Sequence, residues 1–152
     1  MTFALHSPVF QNGGAIPDTY ARDGENLSPP LRWTDPPKEA RSFLLVVEDL
    51  DAPAGTFRHW GLHGINAGQS ELREGLGVES DTRKQAVNDF GRPRYDGPQP
   101  PPGHGVHHYH FRLAALDVSQ LDVPEGASIE RVWEAAQSHI LDEAELVGTY
   151  ER

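Results

Sequence analysis

Three short stretches of this chain put acidic, imidazole or phenolic side chains at the end of an apolar run. Asp49 and Asp51 follow Phe43–Val47, His59 stands beside Trp60, and His107 is two residues from Tyr109. Each lies next to a Pro- or Gly-rich segment, and loops at strand ends on a rigid sheet are common ligand sites. The chemistry this suggests is anion binding. Imidazole N–H, phenol O–H and loop amides can all donate to phosphate or carboxylate oxygens, while an aspartate orients an imidazole. The plainer alternative is that these histidines cap a sheet edge, and spacing alone leaves both readings standing.

Two other chemistries are available to the same residues. His108 and His110 form a His-x-His pair on one face of a strand, which His104 and His59 could extend to three nitrogens around a metal. Arg112, two residues further on that face, opposes a cation, so the expectation is no metal. Asp49 or Asp51 with His59 could also form a base-orienting dyad for a hydrolase or isomerase. However, no serine sits in a Gly-x-Ser-x-Gly turn, and Ser28 reads as a turn hydroxyl.

The elements that must position these groups follow from periodicity. Thr2–Phe10 reads as a first strand and the residues near Trp33 as a second. Ser42–Leu50 is apolar on both faces, as a central strand covered on both sides should be, and counting by twos puts Asp49 and Asp51 with Phe43, Leu45 and Val47. In Phe57–Ile65 the same count puts His59, Gly61, His63 and Ile65 on one face and Trp60 and Leu62 on the other. Gly68–Gly77 reads as a short helix or loop and Arg83–Phe90 as a strand. Pro98, Pro100, Pro101 and Pro102 then hold an extended loop, and Gly103 and Gly105 let it turn sharply. In the strand that follows, His107, Tyr109, Phe111 and Leu113 share one face, with His108, His110 and Arg112 on the other. Ser128 is a helix N-cap, and Ile129, Val132, Trp133, Ala136 and Ile140 form one stripe, with Trp133 in the core and His139 in the last turn. Ala144–Tyr150 closes the chain as a strand. The pattern is mainly β, a sandwich or β-rich domain with one main helix, in a single domain over residues 1–152.

Composition narrows the function. The 152 residues carry a formal net charge of −10 and no basic stripe, which excludes phosphate-backbone binding to nucleic acid. No apolar run approaches the ~20 residues of a membrane span. With no cysteine there is no thiol nucleophile, thiolate metal site or disulfide. The N-terminus has no signal-peptide pattern, so the expectation is a cytoplasmic protein with no cofactor.

Several motifs in one order then carry a specific resemblance. These are Gly24-Glu25-Asn26-Leu27-Ser28-Pro29-Pro30-Leu31-Arg32-Trp33, Asp49-Leu50-Asp51-Ala52-Pro53, His59-Trp60, Asn88-Asp89-Phe90-Gly91, Gly97–Tyr109 and Ala144–Tyr150. The sequence resembles the phosphatidylethanolamine-binding protein family, in its bacterial and archaeal Raf-kinase-inhibitor-like branch. The resemblance implies a β-sandwich of two antiparallel sheets and a small pocket for phosphate-like or carboxylate anions, including a phospholipid headgroup. Carried over by motif, the pocket residues are Asp49, with Asp51 beside it, His59, His107 and Tyr109, with Pro101, Pro102 and Gly103 shaping the rim. It also implies a homodimer, regulation through ligand or protein binding rather than clear enzymatic activity, and an open pocket lacking the C-terminal helix of animal members. Leu50 stands where the family usually has proline, His108 where it usually has arginine, and Gly61-Leu62-His63-Gly64 where bulkier residues are usual. Imidazoles near Asp49 are expected to protonate more readily than free histidine, near 6.5.

Overall fold

The computed structural model describes residues 2–78 and 84–152. Among the described residues seven strands form two antiparallel sheets: β1 (Ala4–His6), β2 (Leu31–Thr34) and β5 (Glu71–Leu72) in one, and β4 (Phe57–Asn66), β3 (Ser42–Asp49), β6 (His107–Leu116) and β7 (Ile140–Tyr150) in the other. One α-helix among the described residues, α1 (Ile129–Ala136), packs on the larger sheet. The fold is the sandwich with one main helix that the sequence implies.

The larger sheet is buried on both faces. On the inner face Phe43, Leu45, Val47, Phe111 and Leu113 pack against Leu5, Leu31, Trp33 and Leu72 of the smaller sheet. On the outer face Leu44, Val46, Ala114 and Leu116 are covered by Ile129, Val132 and Ala136 of α1. Each such side chain contributes roughly 1.5–3 kcal/mol when fully buried, which is why β3 carries apolar residues on both sides. Its register matters more for the chemistry. A one-residue slip would carry Asp49 from the inner to the outer face, and eight paired positions against β6, from Ser42↔Leu116 to Asp49↔Tyr109, prevent it.

Several predicted elements change. The first strand shrinks to β1, because the Ser7 hydroxyl donates to the Pro30 carbonyl (2.7 Å) and Pro8 then ends the pairing. The helix stops at Ala136, and Ile140 belongs to β7 instead. His139 is pinned to the end of β6, where its Nδ1 meets Asp117 Oδ1 at 2.9 Å and its carbonyl accepts from the Asp117 amide at 3.0 Å, and this turns the chain. Trp133 is only half-buried and lies under the Arg112 guanidinium, 4.3 Å from its ring centroid. Gly68–Gly77 contains β5 and the start of a 3₁₀ turn at Leu76–Val78. Arg83 lies outside the described residues, and Lys84–Phe90 makes only isolated bridges, Gln85 with Leu62 and Val87 with Ser128.

β4 departs most from simple alternation. Its pairing with β3 runs Phe43↔Ile65 then Leu45↔Leu62, and Val47↔Trp60 then Glu48↔Arg58. Two bulges result, one at His63-Gly64, where Gly64 has φ +65°, and one at His59. They bring Trp60, Leu62 and Ile65 all to the inner core and turn Gly61 outward. A Cβ on Gly61 would lie 2.8 Å from Ile129 Cγ1 and 3.3 Å from Ala86 Cβ, so the missing side chain is what lets α1 approach β4. Gly61→Ala is expected to lower stability by about 1–3 kcal/mol, the usual cost of overpacking. An unchanged midpoint in urea unfolding would show that α1 yields freely.

Candidate ligand-binding site

Three neighbouring strands build one end of the inner face. Asp49 ends β3 and lies opposite Phe57 of β4 and Tyr109 of β6. His107, two residues before Tyr109, shares its face, and the bulge swings His59 toward the same spot, with its ring centroid 5.3 Å from Tyr109 and 5.1 Å from Phe57. Bulges commonly re-aim side chains beside functional sites. Asp49, Phe57, His59, Phe90, Pro101, His107 and Tyr109 line a cavity of about 200 Å³, closed further by Ala52, Pro53, Gln99 and Pro100. That is smaller than the roughly 300–1,000 Å³ of pockets for drug-sized ligands, and suits a compact group.

The polar groups of Asp49, His59, His107 and Tyr109 can each be followed. Asp49 Oδ2 accepts from His107 Nδ1 at 2.6 Å, and Asp49 Oδ1 accepts from the Asp51 amide at 2.8 Å. His107 Nε2 lies 2.6 Å from Nδ1 of His104, on the loop between Gly103 and Gly105. The His59 Nδ1 meets the Asp96 carbonyl at 2.8 Å. A carbonyl oxygen only accepts, so Nδ1 carries the hydrogen and Nε2 of the neutral ring is a bare lone pair. Burial lowers the His59 pKa, more than Asp49 and the Asp96 carbonyl and carboxylate raise it. The expectation of easier protonation therefore fails at His59, because desolvation outweighs a nearby carboxylate. Burial and then the Asp49 charge push the Tyr109 phenol well above its usual range. Its hydroxyl is buried beside the Asp49 carboxylate, close enough to interact with it but outside full hydrogen-bond geometry.

The second support is a buried carboxylate that sequence reasoning assigned no role. The Asp96 side chain is fully buried and accepts from Asn26 Nδ2 (2.9 Å), Asn88 Nδ2 (2.9 Å) and Arg92 Nε (3.0 Å), with Arg92 Nη2 also against it. Burial alone would raise its pKa, but the hydrogen bonds from Arg92, Asn26 and Asn88 outweigh that and hold the carboxyl below its usual range. The Asp96 amide donates to the His59 carbonyl at 3.2 Å, so one residue grips His59 by backbone and by ring. Asn26 and Asn88 lie in the motifs Gly24–Trp33 and Asn88–Gly91. Nothing in their local pattern showed that they meet around Asp96.

Of the residues named from sequence, the structure brings together Asp49, His59, Pro101, His107 and Tyr109. Asp51 and Gly103 stand outside the lining. β3 ends at Asp49, so alternation no longer governs Asp51, and its carboxylate accepts instead from the exposed His108 amide and Nδ1, both 2.8 Å. His108 thus ties this loop through Asp51 rather than Asp49. The Asp49–His59 dyad does not form, since Asp49 holds His107 and His59 holds Asp96. His110 turns to Glu145 (3.3 Å), and among the described residues no three His, Asp or Glu side chains group as metal ligands. Phe57, Phe90, Ala52, Pro53, Gln99 and Pro100 were not anticipated as site residues, and His104 was expected only as a possible metal ligand. A second cavity of about 200 Å³ near Leu62, His63 and Lys84 has no buried unpartnered side-chain polar atom in its lining.

Fold and site together define a small β-sandwich ligand-binding protein, and among the described residues no helix is long and apolar enough to cross a membrane. The family profile described as phosphatidylethanolamine-binding protein matches residues 6–151, and the chain belongs to that family. A UPF0098 protein of Methanothermobacter thermautotrophicus is 44% identical over 97% of this chain and 98% of its own length. One from Aquifex aeolicus is 43% identical over 97% of this chain and 88% of its own. The crystal structure of E. coli YbcL, described as a new member of the mammalian PEBP family, superposes with a TM-score of 0.92 at 29% identity, covering 99% of this chain and 98% of that one. A structure from Chlamydia trachomatis gives 0.88 at 38% identity over the same shares.

The Asp96 arrangement has a measurable consequence. Asp96→Asn is expected to destabilise the protein by about 3 kcal/mol, the low end for breaking a buried ion pair, because the arginine is half-exposed. The pH dependence has a definite sign. A depressed carboxyl pKa gives stability that is present above about pH 4 and lost as pH falls through the folded-state value, so the acid limb should be steeper in wild type than in Asp96→Asn. Parallel acid limbs in urea midpoints from pH 2 to 7 would remove Asp96 as the stabilising group.

Proposed function

We propose that the pocket binds a small oxyanion, such as the phosphate of a headgroup-sized ligand or a carboxylate, and that the protein acts by binding. The observation that carries this is the buried Tyr109 hydroxyl in the cavity wall, which lies beside the Asp49 carboxylate without a bond of full hydrogen-bond geometry. Leaving such a group unsatisfied costs about 1–3 kcal/mol, which a ligand oxygen recovers. Pro101 and Pro100 hold the rim rigid, and Asp49 orients His107.

Inorganic phosphate titrated into the protein and followed by NMR is expected to shift the His59, His107 and Tyr109 resonances together. Tyr109→Phe, which removes only the hydroxyl, should weaken binding about fivefold to tenfold, from the roughly 1 kcal/mol net worth of a hydrogen bond. Equal affinity in the variant would sink the assignment. The same reading takes the protein as a cytoplasmic homodimer, on the family resemblance. Sedimentation equilibrium should give twice the 16.8 kDa chain mass, and a single-chain mass would remove the dimer.

A further inference from the structure

Both ring nitrogens of His107 are taken. Asp49 Oδ2 lies 2.6 Å from Nδ1; a carboxylate only accepts, so Nδ1 carries a hydrogen and Nε2 of the neutral ring is a lone pair. His104 Nδ1 lies 2.6 Å from that Nε2 and is therefore the donor. The contact joins unlike partners. His107 is almost wholly buried, at 1% exposure, in the cavity wall, whereas His104 is exposed on the turn that follows the rim residue Pro101. The His104 amide donates to the Pro101 carbonyl at 3.1 Å, and the Gly103 amide donates to the Arg152 carbonyl, also at 3.1 Å. The turn is loosely packed: a Cβ on Gly103 or Gly105 would meet no described atom within 4 Å. Their positive φ angles, +74° and +94°, are what the turn requires of them, and an exposed segment with few packed neighbours opens at low cost.

We propose that His104 is an internal latch on this end of the cavity, competing with the bound oxyanion for His107 Nε2. This rests on the anion-binding reading and adds its regulation. Nε2 is the one nitrogen through which His107 can reach a ligand oxygen, because Asp49 holds the other. A ring nitrogen takes one partner along its axis, so at 2.6 Å His104 and a ligand oxygen exclude each other. Release of His104 lets His107 Nε2 take a proton from solvent and donate that hydrogen to the ligand, with Asp49 paired to the resulting imidazolium. The titratable groups around the ring are Asp49 on β3, His59 on β4, Tyr109 on β6, and Asp51 and His104 on the flanking loops. The latch lowers affinity, since a site whose competent form is only a fraction of the molecules binds more weakly by that fraction. Holding the latch with one hydrogen bond corresponds to a reduction of about fivefold to tenfold.

Removing the His104 side chain tests this, and the sign of the effect is diagnostic. Inorganic phosphate titrated by NMR into the whole protein is expected to bind His104→Ala about fivefold to tenfold more tightly than wild type. A residue that contacts the ligand, or that only holds the loop in shape, weakens binding or leaves it unchanged when removed. In wild type, the ring-nitrogen signals of His104 should move to those of a solvated histidine as phosphate saturates the site, because the ring has left His107. Equal or weaker binding by His104→Ala, or His104 ring signals unmoved at saturation, overturns the latch while leaving anion binding intact. Failure of phosphate to bind either protein overturns both.

Discussion

The site depends on one buried carboxylate. Asp96 lies within a loop that has no regular secondary structure, and its charge is tolerable only because Asn88 and Arg92 of the same loop and Asn26 from a distant segment converge on it. A buried charge without such partners costs several kcal/mol, so the loop is fixed wherever those partners can be met together. Once fixed, the Asp96 amide and carbonyl hold His59, the chain at Gly97 passes so near Tyr20 that a Cβ would lie 1.9 Å from its carbonyl oxygen, and Phe90 lies over the cavity under the Arg22 guanidinium. Asn26 accepts a left-handed backbone, φ +57°, to reach its place, which asparagine does more readily than most residues.

The sheet divides the histidine-rich run into two unrelated sets. His107 and Tyr109 lie on the inner face, desolvated and short of water, where each hydrogen has a fixed owner. His108, His110 and Arg112 lie on the outer face among Asp51, Glu145, Glu48 and Glu143. The exposed His108–Asp51 pair is worth little, about 0–1 kcal/mol, whereas Arg112 reaches a buried Glu48; together they tie strands without forming a site. Arg112 bridging Glu48 and Glu143 also accounts for why that face does not repel it, although it would repel a metal ion.

A cavity of this kind is defined by what it lacks. Phe57, Phe90 and the prolines exclude water and strengthen each polar interaction inside, so a single missing or surplus hydrogen matters. His104 shows the same accounting beside the pocket. It sits on a loop with φ +74° at Gly103 and +94° at Gly105 and supplies the partner that His107 Nε2 otherwise needs.

Much of this was legible in the sequence. The two-faced apolar run of β3, the alternation from His107 to Leu113 and the Ser128-capped stripe are local patterns that burial enforces. The ordered motifs carried the family, the sandwich and five of the eleven residues that line the cavity. What local pattern could not supply was anything set by a partner distant in the chain. Two bulges in β4 changed which residues share a face with His59. The end of pairing at Asp49 sent Asp51 outward to His108, and the pinning of His139 by Asp117 took Ile140 from the helix into β7. The choice of His107, rather than His59, as the partner of Asp49 was made by strand register. The tautomer of His59 was decided by a backbone carbonyl 37 residues away. Sequence determined which side chains were available and which strands would be buried, because those depend on hydrophobic period. Tertiary structure decided who donates to whom, because a hydrogen bond depends on positions that only the assembled sheet and loop bring together.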